Sequence, residues 1–139
     1  LVRAALAAAG PKGHALDLGT GSGALLLALL AERPGWEGVG IDASPAALAV
    51  ASGNAAALGL APRSAWHQRN WHVPGWAAGL GTFDLILANP PYVEADAVLD
   101  RAVRDWEPAR ALFAGPDGMD DYRALIPQLR GLMNPQAVA

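Results

Sequence analysis

No segment constrains this chain more than Asp17-Leu18-Gly19-Thr20-Gly21-Ser22-Gly23. A short apolar run precedes it, and an unbroken apolar run, residues 24–31, follows it. Glycine at positions 19, 21 and 23 lets the backbone take positive φ and approach a ligand closely. A strand, a glycine turn and a helix in that order form the opening unit of a parallel α/β sheet. In such sheets ligands bind beyond the carboxyl ends of the strands, near the point where strand order reverses.

The flanking sequence continues the same alternation. Residues 1–9 read as a helix stopped by Gly10-Pro11, residues 15–18 as a buried strand, and residues 24–33 as a helix ended by Pro34-Gly35. A second strand is expected at residues 37–41. Ser44 then caps a helix with Pro45 at its first position, running to Leu58 and stopped by Gly59. Residues 65–69 form a weaker strand and residues 83–88 a clear one. A long loop leads to a helix over residues 119–132, closed by Asn134-Pro135. This pattern predicts an α/β fold, a parallel sheet with helices on both faces and right-handed crossovers. The chain begins with Leu1 and ends on residues 136–139, which look like a strand cut short. It therefore reads as a partial domain over residues 1–139, truncated after about four strands.

Composition narrows the class. With 139 residues the chain suits one domain, and 53% apolar against 17% charged residues suits a globular one. Cysteine is absent, which removes disulfides and thiolate metal sites. His14, His67 and His72 are scattered without ligand spacing, so no metal is expected. A net charge of −3 without a basic run argues against direct nucleic-acid binding. No apolar run approaches the ~20 residues that cross a bilayer, and because residues 1–9 run straight into a strand pattern, a signal peptide is not expected. The expected location is the cytoplasm.

Acidic residues beside the glycine loop select among ligands. Gly19, Gly21 and Ala24 also fit the dinucleotide pattern, but Asp17 under the loop would repel a pyrophosphate. It would favour the ammonium and sulfonium of S-adenosylmethionine (AdoMet). Asp42, at the end of the second strand, is placed to bond ribose hydroxyls in either ligand. Asn70-Trp71 ends the third strand, where a polar side chain can accept from the adenine amino group and Trp71 can pack nearby. Each also has an ordinary reading: a turn-capping aspartate, a solvated strand-end acid, a loop asparagine, a core indole.

Asn89-Pro90-Pro91-Tyr92 follows the fourth strand directly. Paired prolines stiffen the loop and keep Asn89 out of the α region. The Asn89 side chain and the Pro90 carbonyl can then converge as two acceptors on a planar NH₂ group. That arrangement turns a weakly nucleophilic nitrogen toward a methyl donor, with the ring of Tyr92 as a stacking face.

These residues together resemble the HemK/PrmC class of release factor glutamine methyltransferases. The likeness runs from Leu16 to Gly23, through Ile41-Asp42-Ala43-Ser44-Pro45, Asn54 and Asn89-Pro90-Pro91-Tyr92-Val93. It continues through Val103-Arg104, Glu107-Pro108, Ala111-Leu112-Phe113, Gly115, Asp117-Gly118 and Tyr122. The resemblance implies a Rossmann-like class I methyltransferase sheet, ordered 3-2-1-4 with a fifth strand beside the fourth. It implies methyl transfer from AdoMet to the glutamine amide of a Gly-Gly-Gln motif in peptide chain release factors, by a protein that is monomeric at full length. The expected cofactor residues are Asp17, Gly19, Thr20, Gly21, Gly23, Asp42, Ala43, Asn70, Trp71 and Asn89. Asn89, Pro90 and Tyr92 are the expected catalytic residues, and Asn89, Pro90, Pro91, Tyr92 and Glu107 the substrate residues. This chain has Asn70 where the family usually has aspartate. The family also carries an amino-terminal helical domain and further strands. Because only residues 136–139 were assigned to a fifth strand, the fourth is expected to keep one largely unpaired edge. A base amino-methyltransferase acting on RNA or DNA, a nicotinamide oxidoreductase and a pure binding module are the competing readings.

Overall fold

The computed structural model of the chain describes residues 1–90 and 116–139. Its elements are α1 (Val2–Ala8), β1 (Lys12–Leu18), α2 (Ala24–Glu32), β2 (Gly35–Asp42), α3 (Pro45–Ala57), β3 (Ser64–Gln68), β4 (Phe83–Ala88), α4 (Asp120–Leu129) and β5 (Met133–Val138). Backbone contacts group residues 1–89 with 129–139 in one compact unit, and residues 90–128 in a second.

The first unit holds one parallel sheet in the order β3-β2-β1-β4-β5. Strand order reverses about β1, and the chain forms the parallel α/β sheet expected from the sequence. Two successive right-handed crossovers in one direction place α2 and α3 on the same face. Ala15 on β1, Trp36 on β2, and Leu85 and Leu87 on β4 face that layer. They form the core with Leu26, Leu27, Leu29 and Leu30 of α2, and with Ala5, Ala55 and Leu60.

The helix ends follow their local signals. Ser44 accepts from the Ala47 amide at 3.3 Å, with Pro45 at the first position of α3. Gly59 takes φ 69° just beyond the end of α3, as a helix stop requires. The last carbonyls of α2 have no cap in the sequence pattern. The Arg63 guanidinium supplies one, donating to the carbonyls of Leu30 (2.9 Å), Arg33 (3.2 Å) and Trp36 (2.8 Å). Burial of so many apolar side chains leaves little room between the layers, and glycine opens it. A Cβ on Gly38 would overlap Leu26, and one on Gly40 would overlap the Trp66 indole.

Two expectations need correction. The sheet has five strands, and β5 covers an edge of β4 that was expected to stay largely unpaired. The helix ends earlier than expected: α4 stops at Leu129, a 3₁₀ turn spans Arg130–Leu132, and the strand begins at Met133. More residues are therefore free to pair. The register jumps from Phe83↔Met133 to Leu85↔Val138, so Pro135 sits in a bulge and no ladder bond is asked of it. Asp84 bridges the gap, accepting from the Asn134 amide group at 2.7 Å and the His14 backbone at 2.9 Å. Those two bonds hold its carboxyl below the usual carboxylate range.

In the second unit, Arg123 of α4 pairs with Asp117 at 2.6 Å and Asp120 at 3.4 Å. Both pairs are exposed and contribute little to stability.

The close packing on glycine makes a test. Gly40→Val should destabilise the fold by about 1–3 kcal/mol, because the added carbons fall on the Trp66 indole, which overlaps the place where the Cβ would sit. Gly53, inside α3 with open space around it, should behave oppositely. Gly53→Ala should stabilise by about 0.5–1 kcal/mol. Urea unfolding midpoints of the two variants and the parent check both signs.

Candidate functional site

The glycine loop is built against the end of β2. The Gly19 and Thr20 amides both donate to the Ile41 carbonyl, at 3.0 and 2.9 Å. The Gly21 amide donates to Asp42 Oδ2 at 2.9 Å. The Asn54 amide group of α3 donates to the Ser22 carbonyl at 2.9 Å. Gly19, Gly21 and Gly23 all have positive φ, at 71°, 55° and 80°. The indole of Trp66 packs where Gly23 would carry a Cβ, 2.8 Å from that position, and the indole of Trp71 packs 3.2 Å from that of Gly19. Gly21 alone looks onto open space, so the middle of the loop is where a ligand can reach bare backbone.

Asp17 lies beneath this loop, 1% exposed. Its Oδ2 accepts from the Thr20 hydroxyl at 2.6 Å, while Oδ1 has no hydrogen-bond partner among the described residues. Burial pushes its pKa from 3.8 up to about 6. The Thr20 hydroxyl and the nearby Leu26 amide, in the first turn of α2, oppose the rise, and the Asp42 charge adds to it. A buried carboxyl with an oxygen unpaired among the described residues is costly under a glycine loop unless a positive group comes near.

Asp42, half-buried, spends one lone pair on each oxygen: Oδ2 on Gly21 and Oδ1 on the Ser44 amide at 2.8 Å. Each oxygen keeps a second lone pair. Beyond Asp42, the ends of β2 and β3 open into a cleft of about 580 Å³. Ala43, Arg69, Asn70, Val73, Pro74 and Trp76 are among its walls. Ala43 and Asn70 thus meet in one cavity. The wall from residues 73–78 was not anticipated. Those residues carry no helix or strand period, and only the glycine and proline punctuation of Pro74-Gly75 marked a turn there.

Asn89 leaves β4, is exposed, and follows Ala88, which pairs with Leu18 of β1. The first loop residue and Asn89 therefore leave adjacent strands side by side. Pro90 is fully buried. Pro91, Tyr92 and Glu107 lie outside the described residues. Among the described residues no cluster of His, Cys, Asp or Glu side chains could hold a metal, and no helix is long and apolar enough to cross a membrane.

Comparison with known proteins decides the family. The model of the methyltransferase small domain matches residues 1–108. The chain belongs to that family. Proteins named release factor glutamine methyltransferase are similar over most of the chain. The one from Rhodospirillum rubrum is 50% identical over 99% of this chain and 42% of its own length. The one from Cereibacter sphaeroides is 52% identical over 90% of this chain and 44% of its own length. The chain thus spans less than half of these relatives. Among solved structures, an O-methyltransferase family protein from Burkholderia thailandensis superposes with a TM-score of 0.66 at 20% identity, covering 96% of this chain and 34% of the other. PKMT2 from Rickettsia typhi, in complex with AdoHcy, gives 0.62 at 17% identity, over 91% and 20%. The fold is that of the class I methyltransferases.

For a methyltransferase small domain the donor set is apt. Bare backbone at Gly21, spare lone pairs on Asp42 and the unsatisfied Asp17 oxygen fit a ligand that combines ribose hydroxyls with a cation. They fit a pyrophosphate poorly.

Asp17 has a pH signature. Its folded pKa, about 6, lies above its ordinary 3.8, so between these values the fold holds a proton that the unfolded chain has lost. Stability therefore falls as pH rises through that window and stays lowered above it. Asp17→Asn removes the effect. Its stability relative to the parent should rise between pH 4 and pH 7, by on the order of 1–3 kcal/mol. Urea unfolding at pH 4, 5, 6 and 7 measures this, and a gap that stays flat with pH would refute the assignment.

Proposed function

We propose that this chain is the AdoMet-binding core of a protein glutamine N5-methyltransferase whose substrate is the Gly-Gly-Gln glutamine of a peptide chain release factor. The observation that carries the reading is the pairing of Asp17 and Asp42 about the glycine loop, with Asn89 leaving the neighbouring strand. Relatives at about half identity that are named release factor glutamine methyltransferases support the choice of substrate. Such a substrate also puts the enzyme in the cytoplasm.

In this reading, Gly19, Thr20, Gly21 and Gly23 hold the amino-acid end of AdoMet, Asp42 its ribose, and Ala43, Asn70 and Trp71 its adenine. When bound, AdoMet supplies an electrophilic methyl on a sulfonium. Asn89 and Pro90 accept hydrogen bonds from the two amide hydrogens of the glutamine, which fixes the nitrogen and raises its electron density. The resemblance adds Tyr92, as a ring for the amide plane to stack on, and Glu107 as a substrate residue; both lie outside the described residues. The amide nitrogen would gain the methyl and lose one proton to solvent, the electron pair of the broken carbon–sulfur bond staying with S-adenosylhomocysteine as the leaving group.

Two outcomes test the assignment in the full-length protein. Asn89→Ala should lower turnover by ~10² or more with little change in AdoMet affinity. Asp42→Ala should weaken AdoMet binding by about 1.5–3 kcal/mol. Mass spectrometry of a release factor after incubation with enzyme and AdoMet should find one added methyl on the Gly-Gly-Gln glutamine. Methylation of RNA or DNA instead, with the release factor untouched, would replace the proposed substrate.

A further inference from the structure

The glycine loop is pinned on two sides, by the end of β2 and by α3. The peptide between Thr20 and Gly21 is held at both ends. Its N–H donates to Asp42 Oδ2 at 2.9 Å, and its carbonyl accepts from the Gly23 amide at 2.8 Å. The peptide between Ser22 and Gly23 is held the same way: its N–H makes that bond to Thr20, and its carbonyl accepts from the Asn54 side chain at 2.9 Å. Only a donor can face a carbonyl, so the end of Asn54 that meets Ser22 is Nδ2. One turn earlier on α3, the Ala51 Cβ lies 3.2 Å from where Gly23 would carry one. The peptide between these two, with the Gly21 carbonyl and the Ser22 amide, has no hydrogen bond among the described residues. Its flanks set its direction. Asparagine is a poor choice for an exposed helix interior, yet Asn54 is exposed inside α3 and followed by three alanines. The bond to Ser22, across 32 positions, gives it a task there.

We infer that Asn54 is a positioning residue for the cofactor: by holding the Ser22 carbonyl it aims the Gly21–Ser22 peptide at the amino-acid end of AdoMet. This rests on the proposal that the glycine loop takes that end. A peptide unit carries one acceptor and one donor, which suit an ammonium and a carboxylate. Gly21 and Gly23 both have positive φ, at 55° and 80°, so the backbone about this unit is free to turn once a flank is released. Asn54 itself touches no ligand. It acts through Ser22, and so matters only to ligands that carry the amino-acid end.

Asn54→Ala removes the bond and puts a better helix former in its place, so the urea midpoint should stay close to that of the parent. Two probes separate positioning from general loosening, both used with the full-length protein. S-adenosylhomocysteine is titrated by calorimetry. 5′-Methylthioadenosine, which keeps the adenosine and the sulfur but lacks the amino-acid end, is measured by displacement. N54A should bind S-adenosylhomocysteine roughly three- to tenfold more weakly than the parent, the worth of one neutral hydrogen bond, and 5′-methylthioadenosine within about twofold of it. Asn54→Asp is isosteric but turns an acceptor toward the Ser22 carbonyl, and should lose at least as much affinity for S-adenosylhomocysteine. Unchanged affinity for S-adenosylhomocysteine in both variants, or an equal loss for the two ligands, overturns the inference while leaving the cofactor assignment in place. Failure of S-adenosylhomocysteine to bind the parent overturns the cofactor assignment, and the inference falls with it.

Discussion

The Ile41 carbonyl accepts hydrogen bonds from two consecutive amides of the glycine loop, Gly19 and Thr20. That shared acceptor ties the end of β1 to the end of β2, and much else is arranged around it. It fixes the turn that launches α2. It brings Gly21 under the Asp42 carboxylate and Thr20 over Asp17. It also sets the space that the two indoles fill, Trp66 against Gly23 and Gly40, Trp71 against Gly19. The loop is shaped by backbone polarity and wedged by aromatic rings, with bare backbone left only where a ligand needs it.

The cost of that arrangement falls on Asp17. A carboxyl at 1% exposure with one oxygen unsatisfied is a local loss, and burial raises its pKa accordingly. Local losses of this kind gather at functional sites, because a group left unpaired in the fold gains most from the ligand that pairs it. Asp42 shows the complementary arrangement. Its oxygens are held by two backbone amides, so its orientation is fixed before any ligand arrives. One acid stores a deficit and the other is preorganised.

Much of this was legible in the sequence, for physical reasons that differ by element. The turn at residues 19–23 was readable because only glycine tolerates those φ values in succession. The start of α3 was readable because Ser44-Pro45 satisfies and omits the right backbone donors. The fifth strand was misjudged because Asn134-Pro135 reads as a stop, whereas the chain absorbs the proline in a bulge and the Asp84 side chain holds Asn134 there. The cleft wall at residues 73–78 has no periodicity to reveal it. Trp66 packs, and what one-dimensional reading could not show is that its packing partners are the glycines of the site itself. Arg63 as the cap of α2 depends on a contact across some thirty positions, which local pattern does not encode.

In the proposed function this loop holds an adenosyl amino acid and not a dinucleotide, because the acid beneath it has an oxygen without a partner among the described residues. Isothermal titration of AdoMet and of NAD into the same preparation at pH 7 is the most direct test of that claim. Saturable, one-to-one binding of AdoMet with no detectable heat from NAD is the expected result. Binding of NAD as tightly as AdoMet, or of NAD alone, would contradict it.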